Sequence, residues 1–275
     1  MSLKPDEFDY VAELARSNAA IVLERGKEYL VETRLAPLAR QEGLANLGEL
    51  ISRLRSQRNY GDLHARVVDA LTTNETFFFR DFHPFEALRK HVIPQLIKDR
   101  AAVKRLTIWS GACSTGQEPY SMAMMLRDSF PVLRDWNIKI LATDLSPTVL
   151  KQAQEGRYSQ LEVNRGLPAP LLIKYFEKRE GHWFIKPDLK PLIEFKPMNL
   201  IQPWPLMPGF DIIFLRNVMI YFDVETKKAI LRRMRACLLS HGYLFLGTAE
   251  TTLNLDNEWK PTPLGTTVAF QMGKP

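Results

Sequence analysis

Along the first seventy residues the apolar positions recur at helical spacing. In PDEFDYVAELARSNAAIVL the residues Phe8, Val11, Leu14 and Ala15 fall on one face, the stripe a helix turns toward a core. Val31 to Gln41 and Leu47 to Arg58 continue the pattern, and another helix begins at His64 and runs to Leu71; Gly26, Gly43 and Gly61 act as stops. The spacing predicts an all-helical N-terminal domain over 1–71. Pro84 to Lys98 reads as one more amphipathic helix, and after it the pattern changes. Leu106 to Trp109, Ile138 to Ser146 and Phe210 to Leu215 are short apolar runs of the kind buried strands make, and FDIIFL reads as the fully buried central one. Helix-like segments begin near Glu118, cover Leu150 to Ala153, and run from Lys227 to Leu239 with a basic outer face and a stop at Gly242. GYLFLGTAE is the next strand, and the alternating TVAFQM, Thr267 to Met272, closes the sheet as an antiparallel edge. Strands alternating with helices predict an α/β domain over 84–275. Inside it, about 156–197 is proline-rich with two short strand candidates, HWFI (His182 to Ile185) and LIEFK (Leu192 to Lys196). That stretch reads as a small inserted β-subdomain.

The candidate chemistry gathers where the strands end. KRLTIWSGACSTGQEPYS runs from Lys104 to Ser121: a strand breaks into Ser110, Gly111, Ala112, Ser114 and Gly116, then becomes a helix. A buried strand feeding a helix through small residues builds a ligand crevice at its carboxyl end. The run lacks the GxGxxG dinucleotide fingerprint, and an ordinary strand-to-helix turn explains it equally well. The next strand ends in Asp144, placed to accept hydrogen bonds from ribose hydroxyls. Asp144 is also a possible helix cap, although Ser146 fills that role as well. Between the helical domain and the α/β domain, residues 72–83 form a linker that includes TTNETFFFRD. It carries Asn74, Thr76 and Arg80 beside three phenylalanines, and reads either as a capped connection or as a lid over the crevice. Asn199 and Leu200 follow a strand, where an asparagine serves an adenine edge or a turn. FDIIFL delivers Arg216, Asn217 and Tyr221 to the ligand side of the sheet.

Composition narrows the class. The 275 residues are 45% hydrophobic and 25% charged, which excludes a disordered chain. No apolar run approaches the eighteen or so residues of a membrane span, and MSLKPDEFDY has no signal peptide; the expectation is a soluble, cytoplasmic protein, with nothing demanding assembly beyond a monomer. Two cysteines, Cys113 and Cys237, and five scattered histidines offer no metal spacing. The net charge of +6 suits an acidic partner. Arg53, Arg55, Arg58 and Arg66 stand against a single local acid, Asp62, as a solvated face or a docking surface. Only Tyr60 interleaves with them, which weakens a nucleic-acid reading.

Taken together, NET…FFR, SGACSTGQEPYS, ATDLS, MNL, RNVMIYF and GYLFLGTAE, in that order and spacing, resemble the chemotaxis receptor methyltransferases known as CheR, over nearly the whole chain. The resemblance implies a seven-stranded, Rossmann-like methyltransferase fold that uses S-adenosylmethionine and no metal to methylate glutamate side chains of chemoreceptors. Carried over motif by motif, Asn74, Thr76 and Arg80 come over the cofactor. Glu118 faces its amino-acid end, Asp144 its ribose, and Asn199 and Leu200 its adenine. Arg216 and Asn217 line the floor, and Arg80 and Tyr221 flank the reacting methyl. The arginine-rich face resembles the family's receptor-docking surface. One departure stands out: EKREGHWF, Glu177 to Phe184, lacks the glycine-rich loop with which some members grip a receptor's C-terminal pentapeptide, so docking without that tether is expected. Nucleic-acid methylation and a non-catalytic scaffold are the rivals. The first is disfavoured because RNVMIYF occupies the place of a [DN]PP[YF] run.

Overall fold

The computed structural model describes residues 3–57 and 59–273. The chain divides into two compact units. The first contains residues through Thr73 together with Asn199–Pro203 and Tyr221–Thr226; the second contains Asn74–Met198, Trp204–Ile220 and Lys227 onward.

The first unit is helical: α1 (Pro5–Ala19), α2 (Glu28–Gln41), α3 (Leu47–Ser56) and α4 (Asp62–Leu71). The predicted stripe Phe8, Val11, Leu14 and Ala15 is buried, as are Leu35, Leu50, Leu54, Val67 and Leu71 on the other helices. Glycines do not end every helix; α3 begins at Asn46, whose side chain accepts the Glu49 N–H at 3.0 Å, satisfying one of the donors a helix start leaves unpaired.

In the second unit, the predicted helix over 84–98 is α5 (His83–Ala87), a π-helical turn (Leu88–Val92) and α6 (Ile93–Asp99). Strand β1 (Arg105–Gly111) leads into α7 (Gln117–Ser129), and β2 (Asn137–Asp144) into α8 (Pro147–Glu155). A small sheet follows, made of β3 (Arg157–Tyr158), β4 (Phe176–Arg179) and β5 (His182–Ile185), with the short helices α9 (Gln160–Asn164) and α10 (Ala169–Tyr175) between them. The chain then makes β6 (Ile193–Pro197), β7 (Phe210–Leu215), α11 (Val224–Cys237), β8 (Leu238–Leu246), β9 (Trp259–Leu264) and β10 (Thr267–Met272).

The main sheet has seven strands in the order β6-β2-β1-β7-β8-β10-β9. The first five are parallel, and β10 and β9 run antiparallel to their neighbours. Successive strands from β1 go one way to β2 and β6, and the later ones go the other way from β7. The topological switch therefore lies between β1 and β7, and a ligand crevice opens at such a point, outside the carboxyl ends. One face of the sheet (Ile108, Ile140, Ile212, Phe214, Phe245) joins Leu88, Met124 and Leu126 in the main core.

Three sequence expectations change. LIEFK is not part of the small sheet; β6 is the edge of the main one, parallel to β2 with Ile140 opposite Ile193. TVAFQM is antiparallel but not the edge. WKPTPL lies outside it, its Pro261 and Pro263 opposite Phe270 and Val268, a position where proline's missing N–H is tolerated. Helix α11 ends at Cys237, and Gly242 lies inside β8, where an added Cβ would come within 2.7 Å of Leu238 Cδ1.

Candidate active site

The turn after β1 is built for close approach. Gly111 leaves room for its neighbour: a Cβ there would lie 2.7 Å from Leu215 Cδ1 on β7, which would have to shift. The chain then takes left-handed backbone at Ala112 (φ 54°), Ser114 (φ 50°) and Gly116 (φ 91°) before entering α7. Non-glycine residues held in this region mark over-determined, functional segments. Asp144, at the end of β2, anchors the turn: Oδ2 accepts the Ser114 N–H at 2.8 Å and Oδ1 the Ser146 N–H at 2.9 Å. Ser146 is the cap of α8, its hydroxyl accepting the Val149 N–H, so the predicted division of labour holds for the cap. Asp144 nonetheless has a structural duty the sequence did not disclose. Each carboxylate oxygen accepts two bonds, so that duty is compatible with hydroxyl donors from a ligand.

A second network joins β1, α7 and β7. Glu118 accepts from Ser110 Oγ at 2.8 Å and from Arg216 Nη1 at 3.0 Å. Its side chain is only 12% exposed, and that of Arg216 is 1% exposed. Burial pushes the Glu118 carboxyl above its usual range, and Arg216, Ser110 and Arg80 pull it back. The other arm of Arg216 donates to Asp81 Oδ2 at 2.6 Å and to the Arg80 carbonyl at 3.0 Å. Arg216 therefore ties the segment 80–81 to the end of the central strand. Asp81 was not anticipated.

The segment Asn74–Phe82 is held over these strand ends. Ser114 Oγ donates to the Asn74 carbonyl at 2.8 Å, and Phe79 N–H donates to Ser121 Oγ at 2.9 Å. Phe79, Asp81 and Phe82 all have positive φ (52°, 65°, 48°). The three phenylalanines differ in role. Phe78 is fully buried, edge-on to Tyr158 and Phe176, and is a core anchor. Phe77 lies under the Arg165 and Arg80 guanidinium groups at 4.3 and 5.6 Å; Phe79 packs on Phe85. Arg80 donates to the Glu75 carbonyl at 2.7 Å, and Thr76 is half-buried in the same segment. Cys113 is buried and its thiol is pushed well up by burial, consistent with a packing residue.

Asn217 follows Arg216 with φ 59°, and its N–H donates to Glu250. Asn74, Thr76, Arg80, Glu118, Asp144, Arg216 and Asn217 thus all belong to the α/β unit. Asn199, Leu200 and Tyr221 group with the helical unit. There Asn199 Nδ2 donates to the Asn18 carbonyl at 2.6 Å, Leu200 is buried, and Tyr221 ends a 3-10 turn. Arg53 and Arg66 both pair with Glu42, and Arg55 pairs with Asp6 at 3.0 Å while covering the Tyr10 ring. The fold therefore supplies two acids that the local sequence did not show. Arg58 lies outside the described residues. Among the described residues no group of three His, Cys, Asp or Glu side chains could hold a metal, and no helix is long and apolar enough to cross a membrane.

Residues 74–268 match the family described as CheR methyltransferase, SAM binding domain. With the switch-point crevice, this defines a methyltransferase dependent on S-adenosylmethionine. Residues 6–72 match the CheR methyltransferase all-alpha domain, and the chain belongs to the CheR family. It is 43% identical over 265 residues to chemotaxis protein methyltransferase 1 of Pseudomonas aeruginosa, covering 94% of this chain and 95% of that one. It is 40% identical to chemotaxis protein methyltransferase Cher2 of Pseudomonas putida, covering 96% and 97%. To the Escherichia coli chemotaxis protein methyltransferase it is 35% identical, covering 94% and 89%. The crevice residues fit the cofactor. Two enclosed carboxylates, Glu118 and Asp144, suit a ligand with ammonium and sulfonium charges and a ribose diol, and the small-residue turn admits it closely.

Proposed function

We propose that this enzyme methylates glutamate side chains in the cytoplasmic helical region of chemoreceptors, producing glutamate methyl esters and S-adenosylhomocysteine for sensory adaptation. The observation that carries the reading is the charge layout at the switch point. Glu118 and Asp144 suit a cationic cofactor, while the half-buried Arg80, whose charge is felt at Glu118, suits an anionic acceptor. The named chemotaxis methyltransferases that match along both units support the receptor as acceptor.

Bound S-adenosylmethionine supplies a methyl made electrophilic by its sulfonium. A glutamate with pKa about 4.3 is almost wholly ionised at neutral pH, so this chain needs no general base. Its task is alignment and exclusion of water. Arg80 orients the acceptor carboxylate. Arg216 fixes the Arg80 backbone, and so positions that group. Glu118 holds the amino-acid end of the cofactor, Asp144 the ribose, and Asn74 and Thr76 come from the segment above. Arg216 and Asn217 line the floor. The family resemblance assigns Asn199 and Leu200 to the adenine and Tyr221 to the reacting methyl.

The helical unit docks the receptor through Arg53, Arg55 and Arg66, with Arg58 in the same run. Three guanidinium groups against Glu42 and Asp6 leave a modest net positive face, so methylation at limiting receptor slows as salt rises. In the small sheet β4 and β5 are joined by two residues only, Glu180 and Gly181, with Arg179 opposite His182 and φ of 47° and 77°. This is the tight hairpin geometry, in place of a longer glycine-rich loop, and it supports docking without a grip on a receptor's C-terminal pentapeptide. Docking is therefore independent of that tether.

The test is transfer of labelled methyl from S-adenosylmethionine to receptor-containing membranes, followed by base. Label released as methanol establishes a carboxyl ester. Base-stable label refutes the glutamate assignment and restores nitrogen methylation.

A further inference from the structure

Among the described residues, Glu250 accepts hydrogen bonds from backbone N–H groups alone. It lies in the turn after β8, where Glu250 N–H closes on the Gly247 carbonyl at 2.9 Å. Its Oε2 accepts the N–H groups of Gly247 and Asn217 at 2.6 and 2.8 Å. Its Oε1 accepts those of Val218 and Ile220 at 2.9 and 3.3 Å. Successive backbone N–H groups converging in this way form an anion-holding nest, and here the anion is the protein's own side chain. The two strands it joins are neighbours in the sheet, Leu215 opposite Leu246, and both end at the ligand side. Asn217, directly after the buried Arg216, is held left-handed by this contact. The fit leaves no slack: a Cβ on Gly247 would lie 2.7 Å from Glu250 Oε2 and 2.8 Å from Asn217 N.

We infer that Glu250 is a positioning residue for methyl transfer: its carboxylate sets the backbone of residues 217–220 and thereby the cofactor-side floor formed by Arg216 and Asn217. The inference rests on the roles given to those two residues above. It adds that the active conformation of the turn is templated from β8 by one carboxylate.

Glu250→Gln is isosteric, yet it places an NH2 against two N–H donors, which a carboxylate does not. S-adenosylmethionine affinity, measured by calorimetry on the whole chain, should fall roughly tenfold, and kcat with it. Gly247→Ala, approaching from the other side of the same contact, should reproduce the loss. Glu250→Ala leaves a half-exposed, carboxylate-sized nest; formate should restore part of its cofactor affinity, and chloride at equal ionic strength should not. A folded Glu250→Gln with affinity within twofold of the parent overturns the inference, as does an alanine variant that formate leaves unchanged. The readout needs no acceptor, so wild-type chain that binds cofactor but leaves receptors unlabelled refutes only the receptor reading.

Discussion

Glu118→Gln tests the cofactor end of the site most directly. The carboxylate receives Ser110 Oγ at 2.8 Å and Arg216 Nη1 at 3.0 Å. In the variant the amide oxygen keeps the Arg216 bond, and the Ser110 hydroxyl turns to accept from the NH2, so the fold survives. Asp81 continues to neutralise Arg216. The proton balance also favours survival. Glu118 has its pKa raised by burial, so its contribution to stability is full below the ordinary carboxylate range and lost as pH rises through the folded value, and a glutamine, neutral at every pH, avoids the cost of burying the charged form. Binding should be affected strongly. A hydrogen bond to a charged group is worth about 1.5–3 kcal/mol, so S-adenosylmethionine should bind roughly 10- to 150-fold more weakly. Calorimetric titration of wild type from neutral pH downward should show affinity falling as Glu118 takes up its proton, at a pH above that of an ordinary glutamate. The glutamine variant should be flat through that window. Unchanged affinity in a folded Glu118→Gln, or the same acid limb in both proteins, would refute the role given to this carboxylate.

Other substitutions probe the framework. Arg216→Met removes a guanidinium 1% exposed between Asp81 and Glu118. Leaving a buried carboxylate unpaired costs about 3–5 kcal/mol, so thermal unfolding should drop by roughly 10 °C; a loss below about 1 kcal/mol would contradict the buried pairing. Gly166→Ala should cost about 3 kcal/mol or more in urea unfolding, because φ is 82° and the new methyl would fall 2.0 Å from the Phe78 carbonyl; a neutral result would mean that segment 74–82 is not packed there. Glu86 is held at a pKa of about 2 by Arg89 and Lys90, one turn away on the same helical stretch. Glu86→Gln should lower stability by under about 1 kcal/mol, a difference full above pH 4.5 and vanishing as pH falls through about 2. A difference that instead grew in acid would reverse the sign.

The sequence alone determined the helical N-terminal stretch and the buried strands around Trp109, Ile140 and Ile213, because their apolar periods differ, and it pointed to the strand ends as the candidate site because apolar runs stop at Gly111, Asp144 and Arg216. Family membership was legible too, since motif order survives without coordinates. What only the tertiary structure decided was pairing. Burial periodicity says which face is covered and not what covers it, so LIEFK read as a strand of the small insert, whereas it pairs with β2 at the edge of the main sheet. WKPTPL was hidden by prolines that an edge strand tolerates. Arg216 reaches Asp81 and Glu118 from far along the chain, and Glu42, at the end of α2, pairs with both Arg53 and Arg66. Glu250 closes the GYLFLGTAE motif, but nothing local told what it does: a glutamate after a strand looks like any solvated acid. Its meaning comes from four N–H groups on two different segments that converge on it only when β7 and β8 lie side by side.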